Sequence, residues 1–213
     1  MSKKNVNRIY YLFWIFIIGS VFGWVVEVIF SFLKRGYFIN HSAVVIGPFN
    51  MAYGLGALTL SVLLYKYKDA KWWKIFLIGF IGGSVLEYIM SFGMELVLGF
   101  TAWDYSKKPL NLNGRICVRY SLFWGFLAIV WIKLIYPKLI KLINKIDKDI
   151  GKFLTIFLTI FLVFDIMLTC LAIKRAREKE KNIDARYKYE EVLDKTFNKE
   201  YLKNMYNNSW VIK

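Results

Sequence analysis

Several kinds of chemistry are excluded by what this sequence lacks. Histidine occurs once, at His41, and cysteine twice, at Cys117 and Cys170. Both cysteines lie in apolar runs, without CxxC spacing or a neighbouring histidine, so neither a disulfide framework nor a zinc site is indicated. No G-x-x-x-x-G-K-[ST] loop is present, and the glycines sit in apolar helical segments rather than after a strand, which argues against nucleotide hydrolysis. A serine nucleophile elbow and an H-E-x-x-H pair are missing as well, and the chain is not expected to be an enzyme or to need a cofactor. Alternating strand-like segments are absent, which argues against an outer-membrane barrel.

What the sequence has in abundance is apolar length. Of its 213 residues 57% are hydrophobic and 19% aromatic, and the mean hydropathy is +0.41. The apolar residues come in runs of about 20, the length a bilayer requires. The expected fold is therefore an all-α, polytopic transmembrane helix bundle with about five spans. The net charge of +15 would suggest nucleic acid in a soluble domain. Here the lysines and arginines gather between the apolar runs and in the C-terminal tail, which suits anionic lipid headgroups, and no nucleic-acid partner is expected. Lys3, Lys4 and Arg8 precede an apolar run too long for a signal peptide and lacking an A-x-A site, so it reads as an uncleaved first span.

Taken in order, the spans fall at about 9–33, 43–65, 72–98, 116–135 and 153–173. Pro48 should kink or break the second, and Pro137 should close the fourth. The longest loop, 100–115, contains Trp103-Asp104-Tyr105-Ser106 and Asn113-Gly114-Arg115. Residues 138–152 are basic and amphipathic, with Leu139, Leu142, Ile143 and Ile146 on one face, as in a helix lying on the membrane. The tail, 175–213, repeats apolar residues at near-helical spacing and looks like an amphipathic helix seeking a partner surface. Basic residues divide almost evenly between the two sides. Over the first four spans the N-terminal side leads, which places the N-terminus in the cytoplasm.

One arrangement stands out. Gly79, Gly83, Glu87, Ser91 and Glu95 recur every fourth residue and so form a small-and-acidic stripe on one helix face. Gly19, Gly23, Glu27 and Ser31 repeat it 60 positions earlier, and Tyr53-Gly54 is echoed by Trp124-Gly125 at an offset of 71. The sequence thus reads as two tandem helical hairpins within 9–137, with 11 extra residues in the second loop, followed by a fifth helix at 153–174. Two spans separate the copies, so they keep one orientation and imply a pseudo-two-fold axis along the membrane normal, with Glu27 and Glu87 facing across it.

Carboxylates at membrane depth are costly and by default face an interior or a water-filled path, which makes Glu27, Glu87, Glu95 and Asp165 candidate substrate- or ion-path residues. The bland alternative pairs the glutamates with Arg115, Arg119 or Lys133, or leaves them neutral and hydrogen-bonded. Asp165 could share the same cavity or pair with a basic residue near the helix end. The glycines alone are explained by close helix approach. In the loops Asn40, Asp104, Tyr105, Asn113 and Arg115 are candidate vestibule residues. The structural alternative has Asp104 pairing with Arg115, and Asn40 and Asn113 capping helix starts.

Gly23-Trp24 with Glu27, Gly47-Pro48-Phe49-Asn50, Tyr53-Gly54-Leu55-Gly56, Glu87-Tyr88, Trp103-Asp104-Tyr105-Ser106 and Asn113-Gly114-Arg115-Ile116 together resemble the bacterial family of putative ABC transporter permeases (putative ABC-transporter type IV, CmpB-like). The resemblance covers about 22–137, and Arg175, Arg177 and Leu193-Asp194-Lys195 are similar to longer members. It implies a multi-pass inner-membrane protein, a transport subunit needing a separate ATPase. His41 stands where an arginine is usual, and Met51 where a proline is usual.

The first functional reading is a small transport component that moves a small solute or ion past Glu27 and Glu87, driven by a partner ATPase or an ion gradient, with a separate ATPase subunit or a second copy of the chain (a homo-oligomer) as candidate partners. The second is a non-transporting scaffold or sensor, with the acidic stripes binding partner helices and the tail a soluble protein. A third is an enzyme acting on lipid headgroups through Asp104 and Arg115.

Overall fold

The computed structural model describes residues 3–99 and 101–205. Phe100 and the last part of the expected tail, 206–213, lie outside the described residues. The order is α1 (Lys3–Arg35), α2 (Met51–Leu64), α3 (Trp72–Leu98), a small hairpin of β1 (Asn111–Leu112) and β2 (Ile116–Cys117), α4 (Val118–Val130), α5 (Tyr136–Ile143), α6 (Lys148–Glu180), α7 (Lys188–Thr196) and α8 (Lys199–Met205). Three helices are long and apolar enough to cross a membrane: Arg8–Arg35 within α1, α3 and α6. Their outward residues, among them Phe22, Ile81 and Ile160, are more than half exposed. A helix apolar on its outer face as well as its inner one is suited to lipid.

α1 packs along α2, and α3 along α4. Both contacts depend on absent side chains. A Cβ on Gly19 would meet Ala57, and one on Gly79 would meet Ala128. Backbones can approach this closely only where the facing residues are small. The apolar core gathers toward one end of the bundle, where Ile15, Leu60, Leu64, Ile75 and Ile143 are almost completely enclosed. Trp131 closes that end and donates its indole N–H to Ser61 Oγ at 3.0 Å.

Two expected helices differ in the structure. The segment expected over about 43–65 is helical only from Met51, because Ala43–Asn50 is irregular backbone with Gly47 at φ +86° and Pro48 behind it. Fourteen residues of α2 reach only about 21 Å. The unwound stretch is satisfied by side chains, as irregular backbone among apolar helices must be. Val45 N–H donates to Thr169 Oγ1 at 2.9 Å and Ile46 N–H to Asp165 Oδ1 at 3.1 Å. Ser42 Oγ lies within reach of the Val44, Gly47 and Phe49 carbonyls.

Pro137, in turn, does not close its helix. A π-helical stretch, Trp131–Ile135, carries the chain from α4 into α5, and Pro137 falls in the first turn of α5. The wider turn accommodates the missing N–H and the ring. Leu139 and Ile143, expected on the membrane surface, are instead buried in the core, while Leu142 is exposed.

The tail finds its partner surface within the chain. Arg175, 4% exposed, grips Asp194 with two N–H···O bonds of 2.9 and 3.0 Å and reaches Glu178 at 3.2 Å. Leu202 packs with Val45 and Ala172, and Tyr201 O–H donates to the Val45 carbonyl at 2.8 Å. Removing Asp194 would cost Arg175 two of its three hydrogen bonds and leave Glu178 as its remaining acidic partner. Asp194→Ala is therefore expected to weaken tail docking, seen as faster proteolysis between α6 and α8 while the membrane helices stay intact. Unchanged cleavage would show that this pair does not hold the tail.

Candidate functional site

Glu87 is the most enclosed of the glutamates, 7% exposed on α3. Its Oε1 accepts from the Tyr105 hydroxyl at 2.8 Å and its Oε2 from the Trp124 indole N–H at 3.2 Å. The Trp124 ring lies against Gly83, where any Cβ would strike it. Glycine one turn before the acid is thus what lets the indole of α4 lie across α3 and reach the carboxylate. One turn deeper, Ser84 Oγ donates to Ser121 Oγ at 2.6 Å.

Glu27 has a similar setting. Its Oε1 accepts from Tyr53 O–H at 2.6 Å, and the Tyr53 ring lies against Gly23. Glu27 is only half-buried. Nearby, Trp24 N–H donates to Asn40 Oδ1 at 2.9 Å, and Ser31 Oγ lies 2.5 Å from His41 Nε2. Both glutamates bond to groups of their own hairpin, and no hydrogen bond joins them.

The loop after α3 is strapped back onto that helix. Asn113 and Gly114 both have positive φ, 54° and 66°, which is what a tight β-hairpin turn requires and what Asn-Gly supplies most readily. The turn aims Arg115 at α3. Its guanidinium pairs with Glu95, donates to the buried Ser91 Oγ at 3.2 Å, and lies 5.7 Å from the Tyr88 ring centre and 5.5 Å from that of Phe92. Asn113 Nδ2 donates to Tyr88 Oη at 2.9 Å, and Trp103 N–H to the Arg115 carbonyl at 2.9 Å. Tyr105, its ring stacked 4.5 Å from Tyr120, covers Glu87. Burial and the neighbouring Glu87 raise the Tyr105 phenol's pKa, so it remains a donor. The bond to Glu95 holds Arg115 more firmly protonated.

These contacts replace several expected ones. Asp104 does not pair with Arg115. Its carboxylate accepts from Ser106 N–H at 2.8 Å and Ser106 O–H at 2.9 Å, and these bonds lower its pKa. Asn40 caps no helix. It bridges Trp24, the Ser42 N–H at 3.0 Å and Met205 Sδ at 2.9 Å. Asn113 is a turn residue rather than a cap. Asp165, fully buried, bonds neither to the glutamates nor to a basic residue; Oδ1 holds Ile46, and Oδ2 has no hydrogen-bond partner. Sequence reasoning missed Tyr53 and Trp124 as partners of the acids, although each stands directly before a glycine of its hairpin.

Two cavities flank α6. One of about 370 Å³ lies beside the end of α3, and one of about 180 Å³ lies beneath the tail. Neither is lined by Glu27 or Glu87. Among the described residues no group of three or more His, Cys, Asp or Glu could hold a metal.

His41 supplies a pH test. Burial, the largest influence, lowers its pKa from the ordinary 6.5; Glu27 opposes that shift and Arg35 adds to it. A depressed folded-state pKa means that the stabilising contribution is present above the ordinary value and lost as the pH falls through the lowered one. Wild-type protein is expected to lose thermal stability as the pH falls below the ordinary 6.5, and His41→Gln to lose less over that range. Equal acid sensitivity of the two proteins would show that His41 does not contribute.

No curated protein and no solved structure matches the chain. A family model, described as putative ABC-transporter type IV, matches residues 14–170 of the 213, a range that takes in both hairpins, the loop that straps α3 and most of α6. The chain is a membrane protein, and it belongs to the putative ABC-transporter type IV family.

Proposed function

We propose that this chain is a permease-like, multi-pass subunit of a bacterial inner membrane, in which Glu27 and Glu87 line the path of a small solute or ion. The observation that carries the reading is Glu87 itself: an enclosed carboxylate in an apolar helix, held by a phenol and an indole without an ion pair. Such a group is expensive at membrane depth and marks a path more often than not. Family membership supports a transport role and a separate ATPase as the energy source. In this reading α2 with its unwound lead-in, and α4 running into α5, supply the crossings beyond α1, α3 and α6. The chain performs no chemical conversion itself.

Duplication of one hairpin fits this proposal. Gly19 meets Ala57 and Gly54 where Gly79 meets Ala128 and Gly125, and Gly23 meets Tyr53 where Gly83 meets Trp124. All of these follow the offsets of 60 and 71 read from the sequence. Arg115 on Ser91 has its counterpart in His41 on Ser31.

Two observations favour the scaffold reading instead: Glu95 is paired with Arg115, and neither flanking cavity reaches the deeper glutamates. Glu87→Gln separates the two, because an amide can still accept from Trp124 while losing the charge. The transport reading expects membrane accumulation within about 1 kcal/mol of wild-type stability, together with abolished solute or ion uptake in cells expressing the chain with its ATPase. Loss of folded protein to the extent seen with Glu87→Ala would establish the scaffold reading.

A further inference from the structure

The cavity of about 370 Å³ between the ends of α3 and α6 touches the second hairpin only at Val97 and Leu98, and its other walls come from α6 and the segment after it. It opens where two apolar stretches stop together. α3 ends at Leu98 with Gly99 in the left-handed region at φ +67°, and the apolar run of α6 gives way to Lys174 after Ile173. Its walls change character accordingly. Val97, 71% exposed and facing outward, and Ile173 form an apolar side, while Lys174, Arg177 and Lys181 form a cationic one. Glu178 is the acid in the lining; its Oε1 lies 3.8 Å from Lys174 Nζ and its Oε2 3.2 Å from Arg175, so the lining sets three cationic side chains beside one acid. The Arg177 guanidinium lies over Gly99, 2.5 Å from where a Cβ would stand. A side chain at that position would close this edge of the cavity.

We propose that this cavity is a binding site for the headgroup of an anionic phospholipid. The phosphodiester would sit against Lys174, Arg177 and Lys181, and the acyl chains would run down the exposed face of Leu96 and Val97. Charge complementarity and the join between cationic and lipid-facing apolar walls select this occupant. Each lysine or arginine near an anionic surface contributes attraction that salt screens. A free phosphate would use the cations but leave the apolar wall unused. The inference is independent of the proposed solute path.

The test uses the full chain in a neutral detergent, titrated with phosphatidylglycerol, phosphatidylcholine or inorganic phosphate, with thermal unfolding as the readout. Phosphatidylglycerol is expected to raise the melting temperature, and the other two to leave it nearly unchanged. The exposed pair Lys174→Gln with Lys181→Gln should keep the lipid-free melting temperature and weaken the apparent phosphatidylglycerol affinity about 30-fold. Lys138→Gln with Lys141→Gln, at the opposite end of the bundle, should retain wild-type affinity. The proposal is overturned if phosphatidylcholine or phosphate matches phosphatidylglycerol, or if the Lys174 and Lys181 pair binds as wild type does. Equal loss in the opposite-end pair would likewise overturn it, by showing general charge attraction.

Discussion

The structure depends on how closely two helices can approach when one of them presents glycine. Gly23 and Gly83 each give up a side chain so that an aromatic ring from the neighbouring helix can lie across the backbone. Only then can Tyr53 and Trp124 reach a carboxylate one turn farther on. An acid at that depth without a donor would be a serious liability, since burying a charged or strongly polar group costs several kcal/mol unless it is hydrogen-bonded. Glycine stripe and acid are thus one device, in which close packing supplies the donor that makes the acid tolerable.

The remaining architecture arranges itself around the two clasped hairpins. The apolar core lies toward one end, and the polar contacts, the strapped loop, the unwound segment and the docked tail gather at the other. The strap and the tail act on different parts. Tyr105, Asn113 and Arg115 bind the outer half of α3, whereas Tyr201 and Asp165 fix the backbone of 45–46. The longer second loop leaves the hairpins unequal: Glu87 is covered, while Glu27, served by a shorter connection, remains half-exposed.

Periodicity made much of this legible. The four-residue stripes, the offsets of 60 and 71 and the long apolar runs identified α1, α3 and α6 and placed Glu87 on a packed face, whereas Glu27 is half-buried and Glu95 exposed. It could not show that Ala43–Asn50 unwinds, because Val44, Val45 and Ile46 are as apolar as any span; the outcome was decided by Gly47 with Pro48 and by donors and acceptors supplied from α6 and the tail. Pro137 misled because a π turn, which leaves no mark in composition, absorbs it. The Asn113-Gly114 pair did carry a local signal, that of a hairpin turn, and it outweighs the capping role. Asp104 and Arg115 are separated by the same turn, which points Arg115 along α3 and leaves Asp104 to organise its own loop.

The most direct test of this account is a pair of double-mutant cycles on unfolding free energy, one on Glu27 with Tyr53 and one on Glu87 with Trp124. If each aromatic holds its own acid, each cycle should give a coupling energy of about 0.5–3 kcal/mol, and the crossed pair, Glu27 with Trp124, should be additive within about 0.5 kcal/mol. Additivity in both native pairs would contradict the account, because the close helix approach would then not be serving the acids.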